Sequence, residues 1–329
     1  MDGEPLPDPF SLDESEDHLA WIFGSSRSGS TWLLRMLSEL PDVVPIDDPH
    51  LGHHLGVWRP ISLAWAAAEH PPDLTTLDRL KHDKDSYFFS DRYRHAWAPA
   101  LRRLVVDRFD AEVRAARAER SERPERTGRA RRAATPPGRP PAVVVKEPGS
   151  HVADLLLDLF PRSRVIFLLR DGRDVVDSWL AAYRAGSWAL DEGAFPATEA
   201  GREALVRWQS AVWAFRTDVV RRAYAALPPD RRVLVRYEDL VADPVEQLRR
   251  VARVLPVRAS RRALGQVAAR HDYERVPPAE KGDDKFIRSA QPGGWRANLT
   301  AAEQRAMHEI MGPTLAELGY PVAEPVGSP

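Results

Sequence analysis

The sequence predicts an α/β fold in which helices flank a central parallel β-sheet. Short apolar runs alternate with amphipathic helical patterns in the order strand, helix, strand, helix, strand, helix. The apolar runs at 142–145 and 165–169 carry no polar residue, which is typical of strands buried on both faces of a sheet. Short right-handed crossovers favour parallel strands. Ligands of such open sheets bind at the carboxyl ends of the strands, so we expect the functional site there.

The predicted elements follow this alternation along the chain. We expect strands at Leu19–Phe23, Ala142–Val145, Arg164–Leu169 and Arg232–Arg236. We expect helices at Thr31–Leu40, His151–Phe160, Arg173–Tyr183, Arg202–Leu227, Val245–Leu255 and Ser260–Ala269. Thr300 and Glu303 have capping-box spacing, which predicts a last helix that ends before Gly319.

Two segments are predicted to lie outside the folded core. Residues 1–18 are acidic and contain proline, so we expect a disordered tail before a single domain at 19–322. Residues 111–141 form a basic, low-complexity insertion, which we expect to begin as a helix and continue as a solvated surface loop. The insertion could contact RNA, anionic lipid or a partner, but its composition assigns it no function.

Composition excludes several classes of function. The 329 residues include 47 basic and 48 acidic side chains, so no global field favours nucleic acid and any anion site must be local. The chain has no cysteine, which excludes disulfides, thiol nucleophiles and thiolate metal sites. The sequence contains no apolar run of membrane-spanning length, and its acidic start is unlike a signal peptide. We therefore expect a cytoplasmic protein without a transmembrane segment.

A glycine-bearing loop, Gly24 to Thr31, follows the first strand and leads into the first helix. Such a loop presents backbone N–H groups and the positive end of the helix dipole to an anion, and it therefore predicts a phosphate site. The loop departs from the ATPase pattern, because Ser30 stands where that pattern has lysine. Arg170 follows the strand at 164–169, where an ATPase needs an acidic residue to hold magnesium. A nucleoside triphosphatase is disfavoured, and a small-molecule kinase with a phosphate loop stays the alternative enzyme.

Four separated motifs resemble those of the sulfotransferases that use 3′-phosphoadenosine 5′-phosphosulfate. They are Arg27-Ser28-Gly29-Ser30-Thr31 with Trp32, the pair Arg170 and Ser178, Tyr237 in the segment YEDL, and Arg288 seven residues before Trp295. The resemblance implies that the loop binds the 5′-phosphosulfate, that Arg170, Ser178 and Arg288 bind the 3′-phosphate, and that Tyr237 lies by the adenine. Ala290 replaces a glycine of the last motif. By itself, Arg170 could equally form an ion pair with Asp171 or Asp174.

The resemblance also implies catalytic residues and no metal. Arg27 and Lys146, which lies 24 residues before Arg170, would stabilise the transferred sulfuryl group. Pro148 occupies the position of the histidine base of many members, so another base is needed. Tyrosine-protein sulfotransferases have a glutamate base 21 residues after the loop arginine, which corresponds to Asp48. Asp47, His50 and Glu147 are the other candidates for the base.

The acceptor is the part of the reaction that the sequence leaves most open. Aromatic residues are frequent between the first helix and the insertion, where this family has its acceptor pocket: Trp58, Trp65, Tyr87, Phe88, Phe89, Tyr93 and Trp97. Many of them are expected in the core, but an aromatic pocket favours the hydroxyl group of a small-molecule, lipid or natural-product acceptor, with an amine less favoured. His50, His53 and His54 lack the partners of a metal site and are expected on the acceptor side. The alternative outside enzymes is a nucleotide-binding regulatory protein without turnover.

Overall fold

A five-stranded parallel sheet forms the centre of the computed structural model. The structure describes residues 10–52, 88–122, 140–184, 187, 198–282, 285, 287–288 and 290–322. Its strands are β1 (Leu19–Phe23), β2 (Val43–Asp47), β3 (Ala142–Lys146), β4 (Arg164–Leu169) and β5 (Arg232–Arg236). They are arranged in the order β2-β3-β1-β4-β5. This parallel sheet confirms the predicted fold class.

The register of the sheet places the functional segments side by side. Lys146 pairs with Ile22 of β1 and with Asp47 of β2, and Leu169 pairs with Arg236. All five strands therefore end at the same edge. The segments that follow the strands, including the phosphate loop after β1, meet at that edge.

The sequence did not predict β2. This strand reads Val-Val-Pro-Ile-Asp, and a proline argues against a strand in the middle of a sheet. Among the described strands, β2 is an edge strand that pairs with β3 alone, and Pro45 is exposed. Proline is tolerated there because an edge strand leaves N–H groups outside the ladder.

Helices pack on both faces of the sheet. They are α1 (Ser30–Ser38), α2 (Arg94–Glu122), α3 (Ala153–Leu159), α4 (Gly172–Ala182), α5 (Glu199–Ala226), α6 (Tyr237–Ala242), α7 (Pro244–Val254), α8 (Arg261–Arg270), α9 (Trp295–Asn298) and α10 (Ala301–Glu317). Most predicted helices are present with ends shifted by a few residues. The segment predicted at His151–Phe160 begins with a 3₁₀ turn, Ser150–Val152, before α3. No helix in the described ranges is long and apolar enough to cross a membrane.

Helix α2 was predicted only at its carboxyl-terminal end. Its apolar residues recur every four positions at Trp97, Leu101, Val105, Phe109 and Val113, and all are buried. The spacing is helical, but Pro99 and the many arginines obscure it in the sequence. α2 covers the first part of the predicted insertion, and residues 123–139 lie outside the described residues.

The segment before β1 corrects the predicted domain boundary. Phe10 and Leu12 are buried, and the Leu12 N–H donates to Asp110 of α2 at 2.9 Å. Arg102 of α2 forms ion pairs with Asp13 and Glu16. The prediction of disorder is therefore wrong for residues 10–18, because α2 supplies both an apolar surface and a cation for an acidic segment. Residues 1–9 lie outside the described residues.

Alternate residues of each strand face opposite layers of helices. In β1, Ala20 and Ile22 pack with α1, α7 and α8, whereas Leu19, Trp21 and Phe23 pack with α2, α3, α4, α5 and α10. Both layers bury aliphatic and aromatic side chains against the sheet. The sheet is thus fixed from both sides, and the edge at the carboxyl ends of the strands is left to the loops.

The predicted capping box at the start of α10 is confirmed and ties this helix to α5. The Glu303 N–H donates to Thr300 Oγ1 at 3.2 Å, and the Thr300 N–H donates to Glu303 Oε2 at 2.8 Å. Arg202 of α5 forms an ion pair with Glu303. Burial alone would raise the pKa of Glu303, but the hydrogen bonds from Arg202 and Thr300 outweigh burial and lower that pKa.

We expect Thr300→Ala to lower the free energy of unfolding by about 1 kcal/mol, because it removes the oxygen that caps α10. Thr300→Ser keeps that oxygen and is the control. Urea unfolding followed by circular dichroism measures both variants. An alanine variant as stable as the serine variant would show that the cap does not stabilise the helix.

Candidate active site

A cavity of about 660 Å³ lies at the carboxyl ends of the strands. Every site residue predicted from the sequence except Ser28 lines it: Arg27, Gly29, Ser30, Thr31, Trp32, Asp48, Lys146, Arg170, Ser178, Tyr237 and Arg288. These residues come from six separate segments of the chain. The structure therefore brings the predicted residues together in one place.

The loop after β1 has the shape of an anion cradle. Arg27 and Gly29 both have positive φ angles, 69° and 89°, and Gly29 directly precedes the first residue of α1. A Cβ atom at Gly29 would lie 2.7 Å from the Tyr237 ring, so no other residue fits this position without movement. Ser28 is buried, and its Oγ has no hydrogen-bond partner among the described residues.

Arg170 and Ser178 are bound directly to this loop. Arg170 Nη1 donates to the Arg27 carbonyl at 2.7 Å, and Arg27 Nε donates to Ser178 Oγ at 3.0 Å. The ion pair of Arg170 with Asp171 or Asp174 is not observed. Asp171 pairs with Arg173 instead, at 2.7 Å. Arg170 Nε is buried and has no hydrogen-bond partner in the part of the chain that the structure describes.

Two aromatic side chains form a wall of the cavity. The Trp32 and Tyr237 rings meet edge to face, with centroids 6.3 Å apart, and the Arg170 guanidinium lies 4.2 Å from the centroid of the Tyr237 ring. The indole of Trp32 donates to the His271 carbonyl at 2.9 Å. Burial raises the pKa of Tyr237, whose hydroxyl donates to the Ala290 carbonyl. The hydrogen bonds to the carbonyl groups of His271 and Ala290 therefore fix both aromatic side chains in place.

Helix α4 holds the carboxyl-terminal loop through two aspartates. Asp177 forms an ion pair with Arg288 and accepts a hydrogen bond from Asn298 at 3.0 Å. Asp174 accepts from the backbone N–H groups of Gly293 and Trp295 at 2.7 and 3.3 Å. Sequence reasoning missed this role of both residues, although their spacing of three places them on one face of a helix.

Ala290, which stands where the motif has glycine, adopts a left-handed backbone conformation. Its φ angle is 52°, in the region that glycine enters at little cost. Its carbonyl accepts from the Tyr237 hydroxyl, at 3.2 Å. The backbone of this residue therefore contacts the aromatic wall of the cavity.

Lys146 is the centre of the opposite half of the cavity. Its ammonium group lies 2.7 Å from each of three oxygen atoms: Thr31 Oγ1, Asp47 Oδ1 and Asp48 Oδ2. Only 5% of this lysine is exposed. The second carboxylate oxygen of Asp48 is buried, and no described residue forms a hydrogen bond with it. One cation therefore connects the first turn of α1 to the segment that carries the proposed base.

The contacts of Glu147 indicate a structural role rather than the role of a base. Its carboxylate accepts backbone hydrogen bonds from Leu51, Gly52 and Gly149 at 2.9, 3.2 and 2.7 Å. Burial raises its pKa in spite of these bonds. Its oxygens face backbone amides, so it fixes the segment of Asp48 and His50.

The remaining predicted acceptor residues fall into two groups. His50 lines the cavity, whereas His53, His54, Trp58, Trp65 and Tyr87 lie outside the described residues. Phe88, Phe89, Tyr93 and Trp97 are described and do not line the cavity; Trp97 belongs to the core. Trp179, which sequence reasoning missed, does line it. The described residues contain no cluster of side chains that could hold a metal ion.

The two halves of the cavity differ in charge. The half at β1, β4 and β5 offers backbone N–H groups, Arg27, Arg170 and an aromatic wall, which suit an extended anion with a planar base. The half at β2 and β3 offers Lys146 between two carboxylates, which suits proton transfer beside a developing negative charge.

Comparisons with known proteins agree with this arrangement. A model of the sulfotransferase family matches residues 20–260. A protein-tyrosine sulfotransferase of Drosophila melanogaster is 26% identical over 183 residues, which cover 54% of this chain and 33% of that protein. The match thus spans about a third of the length of this curated relative.

Solved structures to which this chain is similar include mouse sulfotransferase SULT7A1 complexed with PAP. The two are 12% identical, the match covers 94% of this chain and 89% of that one, and the TM-score is 0.49. The sulfotransferase domain of the Synechococcus PCC 7002 olefin synthase is 19% identical, with coverage of 90% and 94% and a TM-score of 0.47. The family match covers most of the chain and includes the loop after β1, Lys146, Arg170 and Tyr237. The chain belongs to the sulfotransferase family.

Proposed function

We propose that this chain transfers a sulfuryl group from 3′-phosphoadenosine 5′-phosphosulfate to a hydroxyl group of a small-molecule, lipid or natural-product acceptor. One observation supports this most strongly: the loop after β1 and the Arg170/Ser178 pair are in direct contact at one end of a single cavity. A donor with two separate phosphate groups needs two such anion positions. A nucleoside triphosphate would need only one.

The residues present fit this donor. Ser28 Oγ and Arg170 Nε are buried without partners among the described residues, which is costly for polar atoms unless a ligand accepts from them. Ser30 and Thr31 at the start of α1 line the same cavity as Arg27. We assign the 5′-phosphosulfate to residues 27–31, the 3′-phosphate to Arg170, Ser178 and Arg288, and the adenine to Trp32 and Tyr237.

The chain's own groups can carry the transfer without a metal ion. The acceptor oxygen bonds to sulfur as the bond from sulfur to the bridging phosphate oxygen breaks, and 3′,5′-adenosine bisphosphate leaves. Arg27 and Lys146 stabilise the negative charge that develops on the transferred group and on the leaving oxygen. Asp48 takes the acceptor's proton.

The two alternatives make different demands on ligands. A small-molecule kinase would consume ATP with magnesium, whereas the loop lacks the lysine of such enzymes. A regulatory protein would bind 3′,5′-adenosine bisphosphate and transfer nothing. The experiments below separate these cases.

We expect 3′,5′-adenosine bisphosphate to raise the melting temperature of the protein by well more than ATP with magnesium does. A chelator is present only in the buffer of the bisphosphate sample. Binding to the native state alone stabilises by mass action, and the cavity holds two anion positions. Differential scanning fluorimetry measures both ligands. Equal or greater protection by ATP with magnesium would contradict the assignment of the donor.

We expect Arg170→Ala to weaken binding of 3′,5′-adenosine bisphosphate by about 2 kcal/mol or more, because it removes a charge-assisted contact with the phosphate. Ser178→Ala removes a neutral hydroxyl and should cost about 1 kcal/mol. Isothermal titration calorimetry measures the affinities. Arg222→Ala is the matched control, because Arg222 is exposed on α5 and pairs with Asp218. Unchanged affinity in both site variants would place the 3′-phosphate elsewhere.

We expect Asp48→Asn to lower turnover by roughly 10² to 10⁴ while donor affinity stays within a few-fold, because the amide keeps the shape of the side chain but accepts no proton. Mass spectrometry of a chemically diverse acceptor panel detects the gain of one SO₃ group. Asp47→Asn is the control, because Asp47 also contacts Lys146 but is more exposed. Near-normal turnover in Asp48→Asn together with its loss in His50→Ala would assign the base to His50.

A further inference from the structure

The segment that follows α8, residues 271–277, lines the cavity along its whole length. It contains a single 3₁₀ turn, Tyr273–Arg275. The residue two places before Glu274 in the chain opens this turn, and the carbonyl of His271 just before it accepts a hydrogen bond from the indole of Trp32 at 2.9 Å. The turn is therefore held beside the aromatic wall of the cavity, although the proposed reaction uses none of its side chains.

Tyr273 connects this turn to Arg288. The Tyr273 hydroxyl donates a hydrogen bond to the backbone carbonyl of Arg288 at 2.7 Å, and both residues line the cavity. The side chain of Arg288 is assigned above to the 3′-phosphate of the donor. The tyrosine hydroxyl therefore acts on the backbone of a residue whose guanidinium is assigned to the ligand.

The two ends of Arg288 are fixed by different parts of the chain. Its guanidinium forms an ion pair with Asp177 of α4, in which Nη1 lies 3.2 Å from Oδ1, and Asn298 holds the same carboxylate at 3.0 Å. Its backbone is fixed by Tyr273. Ordering a long side chain costs conformational entropy, so an arginine that is already fixed at both ends binds a phosphate at a lower cost.

The ring of Tyr273 is itself held in place. The Lys281 ammonium lies 4.5 Å from the centroid of the ring and donates to the Tyr273 carbonyl at 3.3 Å. Lys281 also pairs with Ile287, and the Gly282 N–H donates to the Ile287 carbonyl at 2.9 Å. The chain is thus closed at Ile287 and at the next residue, Arg288, so the hydroxyl contact belongs to a defined loop.

We propose that Tyr273 is a positioning residue for the 3′-phosphate, because its hydroxyl fixes the backbone of Arg288 and thereby places the guanidinium for that phosphate. This inference rests on the proposed function, which assigns Arg288 to the 3′-phosphate. The hydroxyl then contributes to the binding of ligands that carry a 3′-phosphate and not to the binding of ligands that lack one.

The test compares two nucleotides that differ only in the 3′-phosphate. Calorimetry measures binding of 3′,5′-adenosine bisphosphate and of adenosine 5′-monophosphate to the wild-type protein and to Tyr273→Phe, which keeps the ring and its contact with Lys281. We expect the wild-type protein to bind the bisphosphate at least about 10-fold more tightly than the monophosphate. Tyr273→Phe should weaken binding of the bisphosphate by about 3- to 10-fold, the range of one hydrogen bond, and leave binding of the monophosphate within about 2-fold.

A double-mutant cycle tests whether the hydroxyl acts through Arg288. Arg288→Gln removes the cation but keeps much of the side chain, and it should remove most of the preference for the bisphosphate. In that background, Tyr273→Phe should change binding of the bisphosphate by less than about 2-fold, because the group that it positions is gone. Tyr93→Phe is the matched control, since Tyr93 is 47% exposed and does not line the cavity.

Several results would overturn the proposal. An equal loss of both nucleotides in Tyr273→Phe would show that the hydroxyl supports the fold or the shared part of the ligand. An unchanged preference in Tyr273→Phe, or its full effect in the Arg288→Gln background, would show that it does not position Arg288. Equal binding of both nucleotides by the wild-type protein would instead overturn the assignment of the 3′-phosphate, and this inference with it. Melting temperatures show whether each variant is folded, and if Arg288→Gln is not, the comparison of the two nucleotides in Tyr273→Phe decides alone.

Discussion

The three contacts of Lys146 join the parts of this site that the chain supplies separately. This lysine ends β3, and its ammonium group binds Thr31 at the start of α1 and both aspartates at the end of β2. It thereby links the anion-binding loop to the segment of the proposed base. The parallel register makes this possible, because it places Lys146 beside Ile22 and Asp47 at the same edge. If the strands were shifted, the two halves of the cavity would not meet.

A second set of contacts fixes the half of the cavity at β1, β4 and β5. Arg170 and Ser178 bind the loop after β1, and α4 holds the carboxyl-terminal loop through Asp174 and Asp177. Helix α4 therefore contacts both sides of the cavity. The lining of this half includes N–H donors, guanidinium groups and aromatic rings, which suit an anion and a planar base. This arrangement is consistent with membership of the sulfotransferase family.

Sequence patterns predicted the sheet interior and the residues of the cavity, because buried strands and a strand-loop-helix motif leave strong local signals. β2 was missed because a proline, Pro45, argues against a strand, although it is tolerated in an edge strand. The ordered segment at 10–18 was missed because its partners, Asp110 and Arg102, are distant in sequence. The roles of Asp174 and Asp177 depend on contacts across more than 100 residues. At Ala290 the departure from the motif stands at a position whose positive φ favours glycine.

A crystal structure of the protein with 3′,5′-adenosine bisphosphate tests the account most directly. The account predicts that the 5′-phosphate contacts the backbone N–H groups of residues 28–31, that the 3′-phosphate contacts Arg170 and Ser178, and that the adenine lies against Trp32 and Tyr237. The space between the 5′-phosphate and Lys146 should then be open to the acceptor. A nucleotide bound in the opposite direction, or with its 3′-phosphate away from Arg170 and Ser178, would contradict it.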